Sequence, residues 1–97
     1  MVEHIVLFEI KEDASNESVM SMLEGLRRLK GEIPEIVELA VGRNFSDRGK
    51  SFEYGLLVRF ESPEALEAYR KHPAHQDVLD RLIKPVVSDV LAVDFEW

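Results

Sequence analysis

The chain has 97 residues, 45% of them hydrophobic and 32% charged, which is enough for one folded domain with one core and too little for a second. Nineteen Asp and Glu against twelve Lys and Arg give a net charge of −7, and the basic residues are scattered, which argues against nucleic acid or an anionic membrane as a partner. Cysteine is absent, which excludes disulfides, thiolate nucleophiles and thiolate metal sites together.

The chain starts Met1-Val2-Glu3-His4 and enters strand-like sequence at once, with no basic leader. No apolar run reaches the roughly 18 residues of a membrane span, so a cytoplasmic domain is expected. From Val2 to Lys11, His4, Val6, Phe8 and Ile10 point one way while Ile5 and Leu7 make the other side apolar, so this strand needs cover on both faces. Ser15 is placed as an N-cap with Glu17 in the first turn. Val19, Met22, Leu23, Leu26 and Leu29 then recur at helical spacing, which predicts a helix over about 16–30 that ends at Gly31 and Pro34.

Ile36 to Phe45 reads as the second strand, with Val37, Leu39, Val41 and Phe45 on one face and Ala40 and Gly42 on the other. A polar connection around Gly49 leads to the strictest alternation in the chain, Phe52, Tyr54, Leu56, Val58 and Phe60, a third strand ending near Glu61. Ser62-Pro63-Glu64 supplies an N-cap, a first-turn proline and a carboxylate, and the helix they open carries Ala65, Leu66 and Tyr69 inward. It stops at His72, because a residue before proline is biased away from helical angles. Pro73 starts a further short helix on which His75, Val78, Leu79 and Leu82 share a stripe, Pro85 closes it, and Val86 to Phe95 forms the last strand.

This β-α-β-β-α-β order is that of a ferredoxin-like α+β sandwich, an antiparallel sheet with helices on one face. The strands are apolar on both sides and helices cover only one, so a second copy packed on the bare face is expected. That predicts a homodimer.

Only three histidines occur, and two of them, His72 and His75, fall in the segment Tyr69-Arg70-Lys71-His72-Pro73-Ala74-His75, with His4 the third. Chemistry that runs near neutral pH concentrates there. His75 is a candidate base, Tyr69 a candidate hydrogen-bond donor, and His4 and His72 candidate substrate-binding residues. Each has a plainer role as well: a core histidine for His75, a buried aromatic for Tyr69 and a helix-ending residue for His72. His72 and His75 are three apart, but Pro73 starts a new helix between them and nothing completes a ligand set, so no metal is expected.

The residues His4-Ile5-Val6-Leu7-Phe8, Leu29-Lys30-Gly31-Glu32-Ile33-Pro34, Val41-Gly42-Arg43-Asn44, Phe60-Glu61-Ser62, His72-Pro73-Ala74-His75 after Tyr69, and Val93-Asp94-Phe95 resemble the stress-responsive A/B barrel domain (Dabb) family, part of the dimeric α/β barrel superfamily. The resemblance runs nearly end to end. It implies a subunit whose sheet closes a barrel with that of a second copy and leaves a cavity between sheet and helices. It also implies a small apolar or aromatic ligand and no cofactor. Many bacterial members have no established activity, and plant members are associated with stress. A plant polyketide cyclase branch closes a linear polyketide by intramolecular aldol condensation without metal or cofactor. In that branch the positions matching Tyr69 and His75 are the catalytic pair, and the position matching His4 lies in the pocket. Leu56 stands where plant members often carry a histidine, which makes this pocket less polar. Some plant relatives hold a divalent cation on main-chain carbonyls corresponding to the stretch from Leu29 to Ile36. Phe8, Phe60, Leu79 and Phe95 are expected to shape the cavity. Two other functions fit the same residues: a non-catalytic stress-related or ligand-binding homodimer, and a cofactor-free monooxygenase.

Overall fold

Alternating side chains make the strands and helix-period stripes make the helices. The computed structural model describes residues 1–97 as β1 (Val2–Ile10), α1 (Asn16–Glu32), β2 (Glu38–Arg43), β3 (Tyr54–Phe60), α2 (Pro63–Lys71), α3 (Pro73–Val78) and β4 (Val87–Glu96). One π-helical turn, Leu79–Ile83, joins α3 to the approach to β4. The sheet order is β2-β3-β1-β4 and every pairing is antiparallel, as in a ferredoxin-like fold.

Register decides which side chains meet the helices. His4 stands between Val58 on β3 and Asp94 on β4, and Val6 between Leu56 and Ala92. The two-residue period therefore sends Val2, His4, Val6 and Phe8 inward with Leu56, Val58 and Phe60. They meet Met22, Leu23, Leu26 and Leu29 of α1, all buried. Each large side chain sealed in this way contributes about 1.5–3 kcal/mol. Ser15 caps α1, its Oγ accepting the Ser18 N–H at 3.1 Å. Gly25 lets α3 and the π-helical turn approach α1: a Cβ there would stand 2.3 Å from Leu82 Cδ1.

Three details depart from the sequence reading. α1 runs through Gly31 to Glu32 and is capped by buried Ile33, whose N–H donates to the Leu29 carbonyl at 2.9 Å. The second strand, β2, is shorter than the Ile36 to Phe45 reading: Ile36 is in the core before the strand, while Val37 is partly exposed and Phe45 fully exposed. The Phe45 side chain instead leaves the fold on a loop set by Asn44, whose side chain lies so close to Gly49 that a Cβ there would stand 1.8 Å from Asn44 Nδ2. Finally, the helix after Pro73 does not stay α-helical. In the π-helical turn the Lys84 N–H reaches back five residues to the Leu79 carbonyl, at 3.0 Å, which shifts the phase by one residue and buries Ile83 in place of Leu82.

The other face of the sheet carries Ile5 and Leu7 of β1, Leu57 of β3, and Leu91, Val93 and Phe95 of β4, paired across the strands and covered by no helix. At its end the Glu3 carboxylate accepts from Arg59 Nε and Trp97 Nε1, both at 2.8 Å on Oε2. Burial pushes the Glu3 carboxyl up, but the hydrogen bonds from Trp97 and Arg59 and the nearby positive charges outweigh it and hold the group below its usual range.

Candidate active site

Tyr69 lies near the end of α2 with its ring sealed against Phe60, 5.1 Å between centroids. The helix that carries it is started by Ser62, whose Oγ accepts the Ala65 N–H at 3.1 Å, with Pro63 in the first turn. Before Pro73 the chain leaves helical space, at φ −66° and ψ 135° for His72. His72 then caps the next helix, its Nδ1 accepting the Ala74 N–H at 3.0 Å. This break folds α3 back so that the His75 ring lies 4.4 Å from the Tyr69 ring, centroid to centroid. His4 approaches Tyr69 edge-on from β1, at 5.8 Å.

Partner chemistry fixes the protons on these rings. His75 Nδ1 is 3.2 Å from the Arg70 carbonyl oxygen, which also accepts from the Gln76 side-chain amide at 2.8 Å. A carbonyl only accepts, so His75 carries its proton on Nδ1 and keeps a lone pair on Nε2. His4 Nδ1 donates to Asp94 Oδ1 at 2.5 Å, and Asp94 Oδ2 accepts from Arg70 Nη2 at 2.5 Å. His72 has the opposite tautomer, because its Nδ1 is the acceptor.

The rings of His4, Tyr69 and His75 line one cavity of about 180 Å³. Its floor is apolar and buried, with Phe8, Leu26 and Leu56, and its rim is formed by Leu79, Val90 and Ala92. Burial pushes the Tyr69 phenol up to about 12, and no protein group hydrogen-bonds its hydroxyl, so at neutral pH it is a free donor facing the cavity. Burial also pushes the His75 imidazole below its ordinary 6.5; the Arg70 carbonyl opposes this, and the charges of His4 and Arg70 add to it. His75 is therefore neutral at pH 7. A neutral imidazole beside a protonated phenol in a largely apolar chamber can take a proton from one atom of a guest while hydrogen-bonding another.

Of the residues singled out in the sequence, Tyr69, His75 and His4 come together, while His72 lies outside the cavity and serves as a helix cap. Phe8 and Leu79 line the space; Phe60 lies behind Tyr69, and Phe95 belongs to the opposite face of the sheet. No three His, Asp or Glu side chains converge as metal ligands. Sequence reasoning missed Asp94 and Arg70. Asp94 is in phase with Val90 and Ala92 in the otherwise apolar stretch from Val90 to Phe95, which is its available signal, but its pairing with His4 depends on the β1–β4 register.

The profile of the Dabb family, the stress responsive A/B barrel domain, matches residues 2–97. A stress-response A/B barrel domain-containing protein of Arabidopsis thaliana is 31% identical over 96 residues, covering 98% of this chain and 36% of that protein. An uncharacterized protein of Streptomyces coelicolor is 30% identical over 78 residues, covering 78% of this chain and 80% of that one. The chain thus spans about a third of the length of the plant relative. Among solved structures, a dimeric ferredoxin-like protein of unknown function from Jannaschia sp. has a TM-score of 0.83 at 29% identity, over 99% of this chain and 98% of the other. A similar dimeric protein from Thermobifida fusca has 0.86 at 25%, over 99% and 90%. A hydroxynitrile lyase from Passiflora edulis has 0.89 at 18%, over 97% and 90%, and shares the fold. With the profile matched from Val2 to Trp97 on a ferredoxin-like subunit, this chain belongs to the Dabb family of stress-responsive A/B barrel domains.

Proposed function

We propose that this chain is a homodimeric, cofactor-independent acid/base enzyme acting on a small, largely apolar carbonyl compound, by aldol-type carbon–carbon closure. The observation that carries this reading is the pairing of an unpartnered Tyr69 hydroxyl with a neutral His75 whose Nδ1–H is anchored, their rings 4.4 Å apart in one cavity. His75 Nε2 takes the proton from a carbon next to a carbonyl, and the C–H electron pair moves onto that carbonyl oxygen as an enolate. Tyr69 donates to the enolate oxygen, in a low-dielectric space where a fixed donor counts for more than in water. The enolate carbon then attacks a second carbonyl, a C–C bond forms, and the new alkoxide recovers the proton from the His75 imidazolium. The volume of about 180 Å³ lies below the roughly 300–1,000 Å³ of pockets for drug-sized ligands, which favours a single ring or a short chain as substrate.

The homodimer is supported by the uncovered apolar face and by the dimeric proteins of the same fold. The test is a panel of small dicarbonyl and aryl-ketone compounds incubated with the wild type and with His75→Ala. Turnover by the wild type that is lost in a still dimeric variant supports the proposal; turnover that persists in the variant removes His75 from it. The apolar lining around Leu56 favours a second reading, a dimer that binds a small apolar ligand without converting it. Saturable binding by both proteins with product from neither selects that reading.

A further inference from the structure

We infer that Arg70 is the positioning residue that couples the two imidazoles of the cavity, holding His75 through its carbonyl and His4 through its guanidinium and Asp94. The inference rests on the acid/base reading of the cavity and adds to it a residue that does not line the cavity. Arg70 directly follows Tyr69 in the chain, so the helix turn that buries the phenol places the Arg70 side chain on the outside of α2, where it is about half exposed. From there it spans to β4: Nη2 donates to Asp94 Oδ2 at 2.5 Å, and Asp94 Oδ1 accepts from His4 Nδ1 at 2.5 Å. Its backbone oxygen faces His75 Nδ1 at 3.2 Å. Arg70 therefore sets the His75 tautomer through its carbonyl and holds in place the carboxylate that sets the His4 tautomer, which leaves both Nε2 atoms for the cavity.

The two connections differ in kind. The carbonyl link is part of the α2–α3 corner and survives any substitution at position 70. The guanidinium link does not. The Asp94 carboxylate has two oxygens and two cationic or polar partners, and without Arg70 one oxygen turns to solvent and the carboxylate is free to rotate away from His4. The charged and titratable groups around His75 are His4 across the Tyr69 ring, Tyr69 itself and Arg70, with Asp94 beyond them. Removing the guanidinium removes a positive charge that disfavours the imidazolium of His75, so its titration midpoint rises.

The test is ¹⁵N–¹H NMR of the imidazoles in the wild-type protein without substrate, in Arg70→Gln, Arg70→Lys, Asp94→Asn and, as a control on the same helix, Lys71→Gln. The expected result is a hydrogen-bonded His4 Nδ1 proton in the wild type that shifts or broadens in Arg70→Gln and Asp94→Asn, recovers in part in Arg70→Lys and is unchanged in Lys71→Gln. The His75 midpoint should rise in Arg70→Gln. An unchanged His4 signal in Arg70→Gln overturns the coupling, and so does movement of the His75 midpoint alone. Given a substrate, Arg70→Gln should raise KM about tenfold with a smaller change in kcat, because the imidazole that it orients, His4, is assigned to binding and takes no proton in the proposed step. Absence of turnover in every protein, wild type included, would count against the acid/base reading and leave the NMR outcome standing.

Discussion

At the scale of single residues, Tyr69 and His75 make opposite predictions for stability and activity. The Tyr69 hydroxyl has no protein partner and borders the cavity, so Tyr69→Phe should leave stability unchanged or raise it by up to about 1 kcal/mol, as urea unfolding would show, while abolishing turnover. A loss of about 1 kcal/mol would instead mean that the hydroxyl has a structural partner. His75 is lowered from 6.5 chiefly by burial, so just below pH 6.5 the unfolded chain binds more protons at this position than the folded one. Its effect on stability is therefore absent well above 6.5 and becomes unfavourable as pH falls from there to the folded midpoint. Unfolding midpoints measured from about pH 5 to 8 should rise with pH over that window, and His75→Phe should flatten the slope. These residues were legible in the sequence because a phenol and two imidazoles in seven positions leave few other places for chemistry. Asp94 was not, because a carboxylate on a strand shows its partner only once the neighbouring strand is in register. His72 and His75 share a residue type, but His72 precedes Pro73 and caps the next helix by accepting the Ala74 N–H, while His75 lies on the stripe that faces the cavity.

At the scale of elements, the corner between α2 and α3 depends on its caps. Ser62→Ala removes the acceptor for the Ala65 N–H and should cost about 1 kcal/mol in chemical denaturation, with little effect on the His4–Asp94 contact at the other wall. The strand order and the α1 stripe follow from period-two and helix-period patterning, and both are plain in the sequence. The π-helical turn is not, because its signature is one residue of phase between Val78 and Ile83, with no special residue to announce it. Phe45 misled for a similar reason: alternation continues past Arg43, but the chain leaves the sheet there for hydrogen bonds made by Asn44. Deleting Asp80 takes out the one residue of extra phase and should keep Ile83 in the cavity wall on a plain α-helical turn, so the guest sizes accepted should change little; a clear change would mean that the π-helical turn itself shapes the cavity.

At the scale of the whole molecule, the bare sheet face should govern assembly. Val93 is 49% exposed and stands opposite Ile5 near the middle of that face, so Val93→Glu should yield a folded monomer in sedimentation velocity at concentrations where the wild type is a dimer. A dimer that survives this charge would place the contact elsewhere. The bare apolar face was visible in the sequence as apolar residues on both sides of each strand, whereas the chamber was visible only through family resemblance, since its volume depends on how Leu79, Ile83 and Val90 turn. β4 has a double duty: Val90 and Ala92 border the chamber, while Leu91 and Val93, alternating with them, lie on the bare face. In the proposed dimer a guest and a neighbouring subunit would press on the two sides of a single ribbon one residue thick. Thermodynamic reciprocity then requires that whatever factor subunit pairing applies to guest affinity, guest occupancy applies to subunit pairing. Guest titrations run above and below the association midpoint should differ by that common factor.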